Sequence, residues 1–318
     1  MYLYATHPMV HPEITALAEN LFRPALEQAF RDHGLSAYWY HTTSSRTDDK
    51  LVAMGGNAPG IARNTFGLMG AVSFLIETRG VGVGLEAYQR RVATHVMAAR
   101  AIIGTAAGEA ARLHQTVVAA RAAADPRDLV VAHRLAVEPV TLPMLDPATG
   151  GARQTEVRFQ DSRAVTPVTS RARPAGYIVQ GSAAAIAVQL SLNGAALCLL
   201  AGSASIEAEK FVLKGPIKAV NRETINPEQA VDVRLAPATL ELPAGTLYVP
   251  MNQSAAAIIA AALEPDSPGS FVGTGVLPLP AEAREPPIYR VNAIAAKALE
   301  LAPLTPASAR ACANAQPR

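Results

Sequence analysis

The texture of the sequence changes near residue 125, and that change constrains the fold more than any other feature. From Leu85 to about Ala124 apolar residues recur at helical spacing, interrupted near Gly104 and Gly108, until Asp125-Pro126 stops the pattern. Beyond about residue 130 come short β-branched segments such as "LVVAHRLAV" and "TEVRFQD", with frequent prolines and closely spaced turn signals. The expected organisation is therefore a helix-containing first domain over 1–128, a β-rich domain over 129–304 and a loose alanine- and proline-rich tail over 305–318.

Local patterns sharpen this outline. Pro12-Glu13 opens a helix that runs through His33, with Ile14, Leu17, Leu21, Leu26 and Phe30 on one buried face and Gly34 as its stop. "SAYWYHTT", Ser36 to Thr43, alternates and is rich in aromatics, so it predicts a strand. The glycines, Asn57 and Pro59 of "MGGNAPG", Met54 to Gly60, suit either a loop that approaches a ligand or an ordinary connector. Ser182 to Gly202 is the longest apolar stretch, but Gln189 and Asn193-Gly194 break it, so it reads as helix, turn and strand rather than a membrane span.

With 318 residues, half of them hydrophobic, the chain can bury a full core. A net charge of +2 and the lack of a basic cluster interleaved with aromatics argue against a nucleic-acid partner. The first residues carry no basic start and no long apolar segment, so they do not form a signal peptide. Cys198 lies in an apolar run and Cys312 in the polar tail, a poor setting for a structural disulfide, and the pair does not define a compartment.

One segment points to chemistry. The uncharged run Ala71 to Ile76 ends on Glu77 and Arg79, followed by glycines. This pattern predicts an interior strand that presents ionisable groups at its carboxyl end, where open sheets place their active sites. Residues two apart on a strand share a side, so Glu77 and Arg79 should face one cleft, bordered by the Met54 to Gly60 loop, while Thr78 faces away. An ion pair at a sheet end is the alternative explanation. Other motifs are weaker: GxSxG and HExxH are absent, and the glycines of Gly80 to Gly84 do not form GxGxxG. None of the seven histidines has a glutamate three residues later, and Pro8 separates His7 from His11.

"SFLIETRG", Ser73 to Gly80, resembles the strand of carboxypeptidase A-like zinc carboxypeptidases that carries the general-base glutamate, and Glu77 falls on that position. The wider segment "MGGNAPGIARNTFGLMGAVSFLIETRGVG" is similar to a bacterial branch of the family. Three later stretches, "RPAGYIV" at Arg173, "LPAGTLYVPMNQ" at Leu242 and "LEPDSPGSF" at Leu263, look like the accessory carboxyl-terminal region of that branch. The resemblance covers nearly the whole chain.

That resemblance implies an α/β fold: the carboxyl-terminal half of a mixed-sheet catalytic domain, then a β-rich accessory domain. It implies removal of carboxyl-terminal residues from a peptide or peptide-like substrate. Zinc would activate water and polarise the scissile carbonyl, Glu77 would accept the water proton, and Arg79 would support Glu77. Arg63 and Asn64, in the loop before the strand, are expected to border the cleft. The family's His-x-x-Glu ligands are not identifiable, and His7 is the one candidate for the later zinc histidine. The chain thus looks like a carboxyl-terminal portion whose zinc ligands come from an upstream segment or another chain. The family branch is often periplasmic or secreted. The rival readings are a non-catalytic remnant or binding module that retains the fold, and a structural accessory protein.

Overall fold

The computed structural model describes residues 1–46, 48–80, 84–122, 127–146, 148–181, 183–217, 231–280 and 282–315. The expected helix stop at Asp125-Pro126 and most of the Gly80 to Gly84 run lie outside them. The fold mixes helix and sheet. Its first part contains β1 (Tyr2–Tyr4), α1 (Pro12–Leu17), a π-helical turn (Ala18–Phe22), α2 (Arg23–Asp32), β2 (His41–Thr43), β3 (Leu51–Met54), α3 (Ala62–Leu68), β4 (Phe74–Ile76), α4 (Tyr88–Gly108) and α5 (Ala110–Ala122). Its second part contains β5 (Leu129–Leu145), β6 (Ala152–Arg171), β7 (Gly176–Val179), α6 (Ala183–Leu192), β8 (Cys198–Leu200), β9 (Ala204–Leu213), β10 (Val233–Leu242), β11 (Leu247–Pro250), α7 (Ala256–Leu263), β12 (Ile288–Val291), α8 (Ala293–Ala296), β13 (Leu301–Pro303) and α9 (Ala309–Ala315).

The helical segment from Pro12 to Asp32 buries Ile14, Leu17, Leu26 and Phe30 as its spacing requires, but Leu21 is only half-buried and Phe22 is buried instead, across the π-helical turn. The π-helical turn precedes Pro24, whose ring cannot continue a regular ladder. Gly34 ends the segment in the left-handed region at φ 65°. Ser182 to Gly202 likewise resolves into α6, a turn at Asn193-Gly194 and β8.

The large sheet is wholly antiparallel, in the order β10-β9-β12-β7-β11-β8-β13. Alternation along its central strands buries both faces: Tyr177, Val179, Leu247 and Val249 join the core with α6 and α7, while Ile178 and Tyr248 join a second core with α8 and α9. Six residues of α7, Ile258 to Leu263, are buried, which its apolar circumference demands.

Three expectations fail here for physical reasons. The run Ala71 to Ile76 is not an interior strand: only Phe74–Ile76 is extended, and it pairs with β1 alone in a two-stranded sheet. The Ala71 amide is used instead to close α3, donating to Phe66 O at 2.9 Å around Gly70 at φ 74°. The boundary at 128/129 does not divide the packing, because β3 pairs in parallel with β6 in the mixed sheet β2-β3-β6-β5. Ala5, Ile14 and Leu68 also share a core with Leu129, Tyr177 and Ile259. Nor is the segment from residue 305 to 315 loose. Ser308 accepts a hydrogen bond from Leu197 N at 3.0 Å, and Cys312 is buried and disulfide-bonded to Cys198, the bond that the flanking sequence did not favour.

Candidate functional site

Antiparallel pairing sets Met1 beside Glu77 and Tyr4 opposite Phe74. Glu77 N donates to Met1 O at 2.8 Å, which fixes the backbone of the glutamate at the open end of the β1–β4 pair. There a cavity of about 500 Å³ opens between this pair, the end of α2 and the start of α4. Glu77 and Arg79 both line it, together with Glu86, Arg90, Arg91 and Thr94. Glu77 is half-buried and Arg79 exposed, and no ion pair joins them among the described residues. Thr78, expected to face away, lines the same cavity, and its hydroxyl lies 3.2 Å from Nε2 of His95 on α4. Arg91 is held in place by donating from Nη2 to Gly84 O at 2.7 Å. Three guanidinium groups and two carboxylates therefore share one cavity, an arrangement suited to an anionic group placed near a proton acceptor.

The Met54 to Gly60 loop does not border this cavity, and Arg63 and Asn64 do not line it. Both residues lie in α3 and are buried, where they staple the loop to β1. Arg63 Nε donates to Tyr4 O at 3.1 Å and its Nη2 donates to Gly56 O. Asn64 Oδ1 accepts from Thr6 N at 2.8 Å while its Nδ2 donates to Ala58 O at 3.0 Å. Burial pushes the Arg63 guanidinium down to about 10. The sequence missed this because main-chain carbonyls leave no residue-level signal when they are the partners.

His7 lies past the other end of the β1–β4 pair, away from Glu77. It lines a separate cavity of about 380 Å³ with Thr6, Arg127 and Arg163. Its ring meets that of His133 on β5 edge to face, with centroids 6.1 Å apart, and its Nδ1 accepts from Met9 N at 3.1 Å. Burial, with the second imidazole beside it, holds His7 down at about 3, and burial also lowers His133. Such neutral imidazoles can act as nitrogen ligands, yet zinc requires three or four ligands. Among the described residues no three His, Cys, Asp or Glu side chains are placed to share a metal ion. The described residues do not form a complete zinc centre.

A denser ionic cluster lies elsewhere and was not singled out by the sequence. Glu264, at the end of α7, accepts from Arg171 Nη1 at 2.8 Å, Arg290 Nε at 3.0 Å and the Tyr177 hydroxyl at 2.7 Å. Asp266 accepts from both terminal nitrogens of Arg171, at 2.6 and 2.7 Å. Burial pushes the Glu264 carboxyl up, while Arg290 and Arg171 pull it back. The available signal was the pair of carboxylates flanking Pro265 directly after an uncharged helix.

No family model matches the chain, and no solved structure does. The chain is similar to carboxypeptidase 2 of Trichophyton rubrum, with 26% identity over 293 residues, covering 88% of this chain and 52% of that protein. Carboxypeptidase 2 of Trichophyton equinum aligns with the same identity and coverage. Probable carboxypeptidase 2 of Arthroderma benhamiae is 26% identical over 265 residues, covering 79% of this chain and 48% of that protein. The chain thus spans about half the length of the curated relatives it matches. Among the described residues no helix is long and apolar enough to cross a membrane.

Proposed function

We propose that this chain forms the carboxyl-terminal portion of a peptide hydrolase of the carboxypeptidase type, with Glu77 as its proton acceptor. One observation carries the reading within the fold: Glu77 shares a cavity with Arg79, Arg90 and Arg91. A terminal carboxylate can pair with the guanidinium groups while Glu77 takes a proton from the attacking water. Water oxygen bonds to the scissile carbonyl carbon, the carbon–nitrogen bond breaks, and the proton held by Glu77 passes to the leaving amine. Arg79 supports this by offsetting the carboxylate charges. The similarity to proteins named carboxypeptidase 2 supports the reaction class. The zinc implied by the family resemblance is assigned to ligands outside this chain, on an upstream segment or another polypeptide. The buried Cys198–Cys312 disulfide suits an exported protein.

A second reading rests on the separation of Glu77 from His7 and the lack of a ligand set among the described residues. In it the chain is a binding module that retains the fold without catalysis. Hydrolysis of an N-blocked dipeptide, compared with its carboxyl-terminal amide, separates the two readings. The protein is expressed with any residues encoded in frame ahead of Met1. Release of the terminal residue from the acid alone supports the hydrolase, and no release with zinc supplied supports the module.

A further inference from the structure

The two strands of the β1–β4 pair are covered unequally. Tyr2, Leu3 and Tyr4 of β1 are buried, whereas Phe74, Leu75 and Ile76 of β4 are all half-buried. β1 has a neighbour on both sides: away from β4, Tyr2 N donates to Tyr38 O at 3.1 Å and Tyr40 N donates to Tyr2 O at 2.8 Å. β4 pairs with β1 alone, which makes it an edge strand.

The register fixes which groups of β4 are left over. Met1 N donates to Glu77 O and Glu77 N donates to Met1 O, both at 2.8 Å, so this pair exchanges both hydrogen bonds. Antiparallel ladders alternate, so Leu3 and Leu75 form the next such pair, while Tyr2 opposite Ile76 and Tyr4 opposite Phe74 do not. The N–H and C=O of Phe74 and of Ile76 therefore point away from β1, and among the described residues no main-chain group meets them. Tyr2 obeys the same alternation, and its outward groups are the ones taken by Tyr38 and Tyr40. Natural edge strands are commonly blunted by a charge or a proline, and Phe74–Ile76 carries neither. This edge leads directly into the Glu77 cavity, which the next three residues, Glu77, Thr78 and Arg79, all line.

We propose that a peptide substrate adds to the outer edge of β4 as a parallel strand, its main chain bonding to Phe74 and Ile76 and its last residue entering the Glu77 cavity. The direction is parallel because β4 itself runs from Phe74 towards Glu77. The identity of the occupant rests on the hydrolase reading, whereas the open edge does not. In a parallel pair each outward-facing residue bonds to the two partner residues that flank its level, so Phe74 and Ile76 together engage peptide amides two residues apart and need about four residues of extended chain. Main-chain bonds of this kind select linear, extended peptides and discriminate little between side chains.

The test uses N-acetylated pentaalanine whose last peptide bond is reduced to a methyleneamine, so that it cannot be cleaved and its binding is read separately from turnover. Calorimetric titration into the full chain should show binding, with the dialanine analogue about tenfold or more weaker because it reaches the cavity without the edge. N-methylation at the first and third residues and at the second and fourth gives two further probes. One of them should bind about tenfold or more weaker than the parent and the other about as well, because only alternate amides face β4. Hydrogen exchange at the Phe74 and Ile76 amides should be fast in the free chain and slowed about tenfold or more by saturating probe. No binding, equal binding of the dialanine analogue, equal loss in both methylated probes, or unchanged exchange at these amides would each overturn the proposal. Slow exchange in the free chain would also overturn it, by showing that another segment or a second copy already holds the edge.

Discussion

The end of β4 and the end of α7 each present a glutamate beside arginines, yet they solve the problem of charge in opposite ways. Glu264 is 1% exposed and receives hydrogen bonds from two arginines and a tyrosine. Glu77 is half-buried in an open cavity, and its fixed contact is through the main chain. A buried carboxylate must be saturated by partners, so its arginines are committed to the fold. A carboxylate in a wet cavity keeps its oxygens available for a substrate or water. The more elaborate ionic cluster is thus committed to the fold, and the sparser one leaves its carboxylate open to the cavity.

The strongest way to break this contrast is to remove Glu264. Glu264→Ala leaves Arg171 and Arg290 buried with fewer counter-charges, and chemical denaturation should show a loss of about 3–5 kcal/mol. A loss below about 1 kcal/mol would place Glu264 in the same class as an exposed pair. Next comes the disulfide. It closes a separation of 114 residues and ties α9 to β8, so Cys312→Ala should cost about 2–4 kcal/mol, read as a lower denaturation midpoint. Unchanged stability would mean that the segment from residue 305 to 315 packs without help from the bond.

A pH-dependent effect of comparable size appears as pH falls. His7 is held at about 3, below the 6.5 of an unburied imidazole, so between these values the unfolded chain takes up a proton that the folded chain refuses. His133, which faces it, is lowered in the same direction by burial. Stability should be complete above about pH 6.5 and fall below it, by up to ~1.4 kcal/mol per pH unit for each such histidine. In His7→Asn the slope between pH 6 and pH 4, measured by denaturation at each pH, should decrease by about one proton. An unchanged slope would show that His7 is not the group refusing the proton. The smallest effect is at Glu77: Glu77→Gln should change stability by less than about 0.5 kcal/mol, as expected away from buried networks.

What the sequence made legible was local. Helical spacing found the Pro12 to Asp32 segment and its buried face, and punctuation by Asn193-Gly194 found the turn between α6 and β8. Glu77 and Arg79 do line one cavity, but not by strand alternation, because the strand ends at Ile76 and Thr78 lines the same cavity. Illegible were features set by partners distant along the chain. Arg63 and Asn64 looked like cleft residues, but their partners are carbonyls and an amide of β1 and of the loops beside it. The ionic cluster joins Arg171 to Glu264 and Asp266 across more than 90 positions, and no periodicity reports a contact of that kind. The strand at Ala71 failed because a helix cap outside its own window took its first amide.

The most direct test of the account is turnover by Glu77→Gln. The protein is expressed with any residues encoded in frame ahead of Met1, and wild type and variant are compared at matched zinc occupancy on the N-blocked dipeptide acid. The amide preserves shape but cannot take a proton, so the account predicts a fall in kcat of about a hundredfold or more with KM little changed. Equal rates would contradict it and would leave Glu77 as an ordinary residue at the end of a short strand.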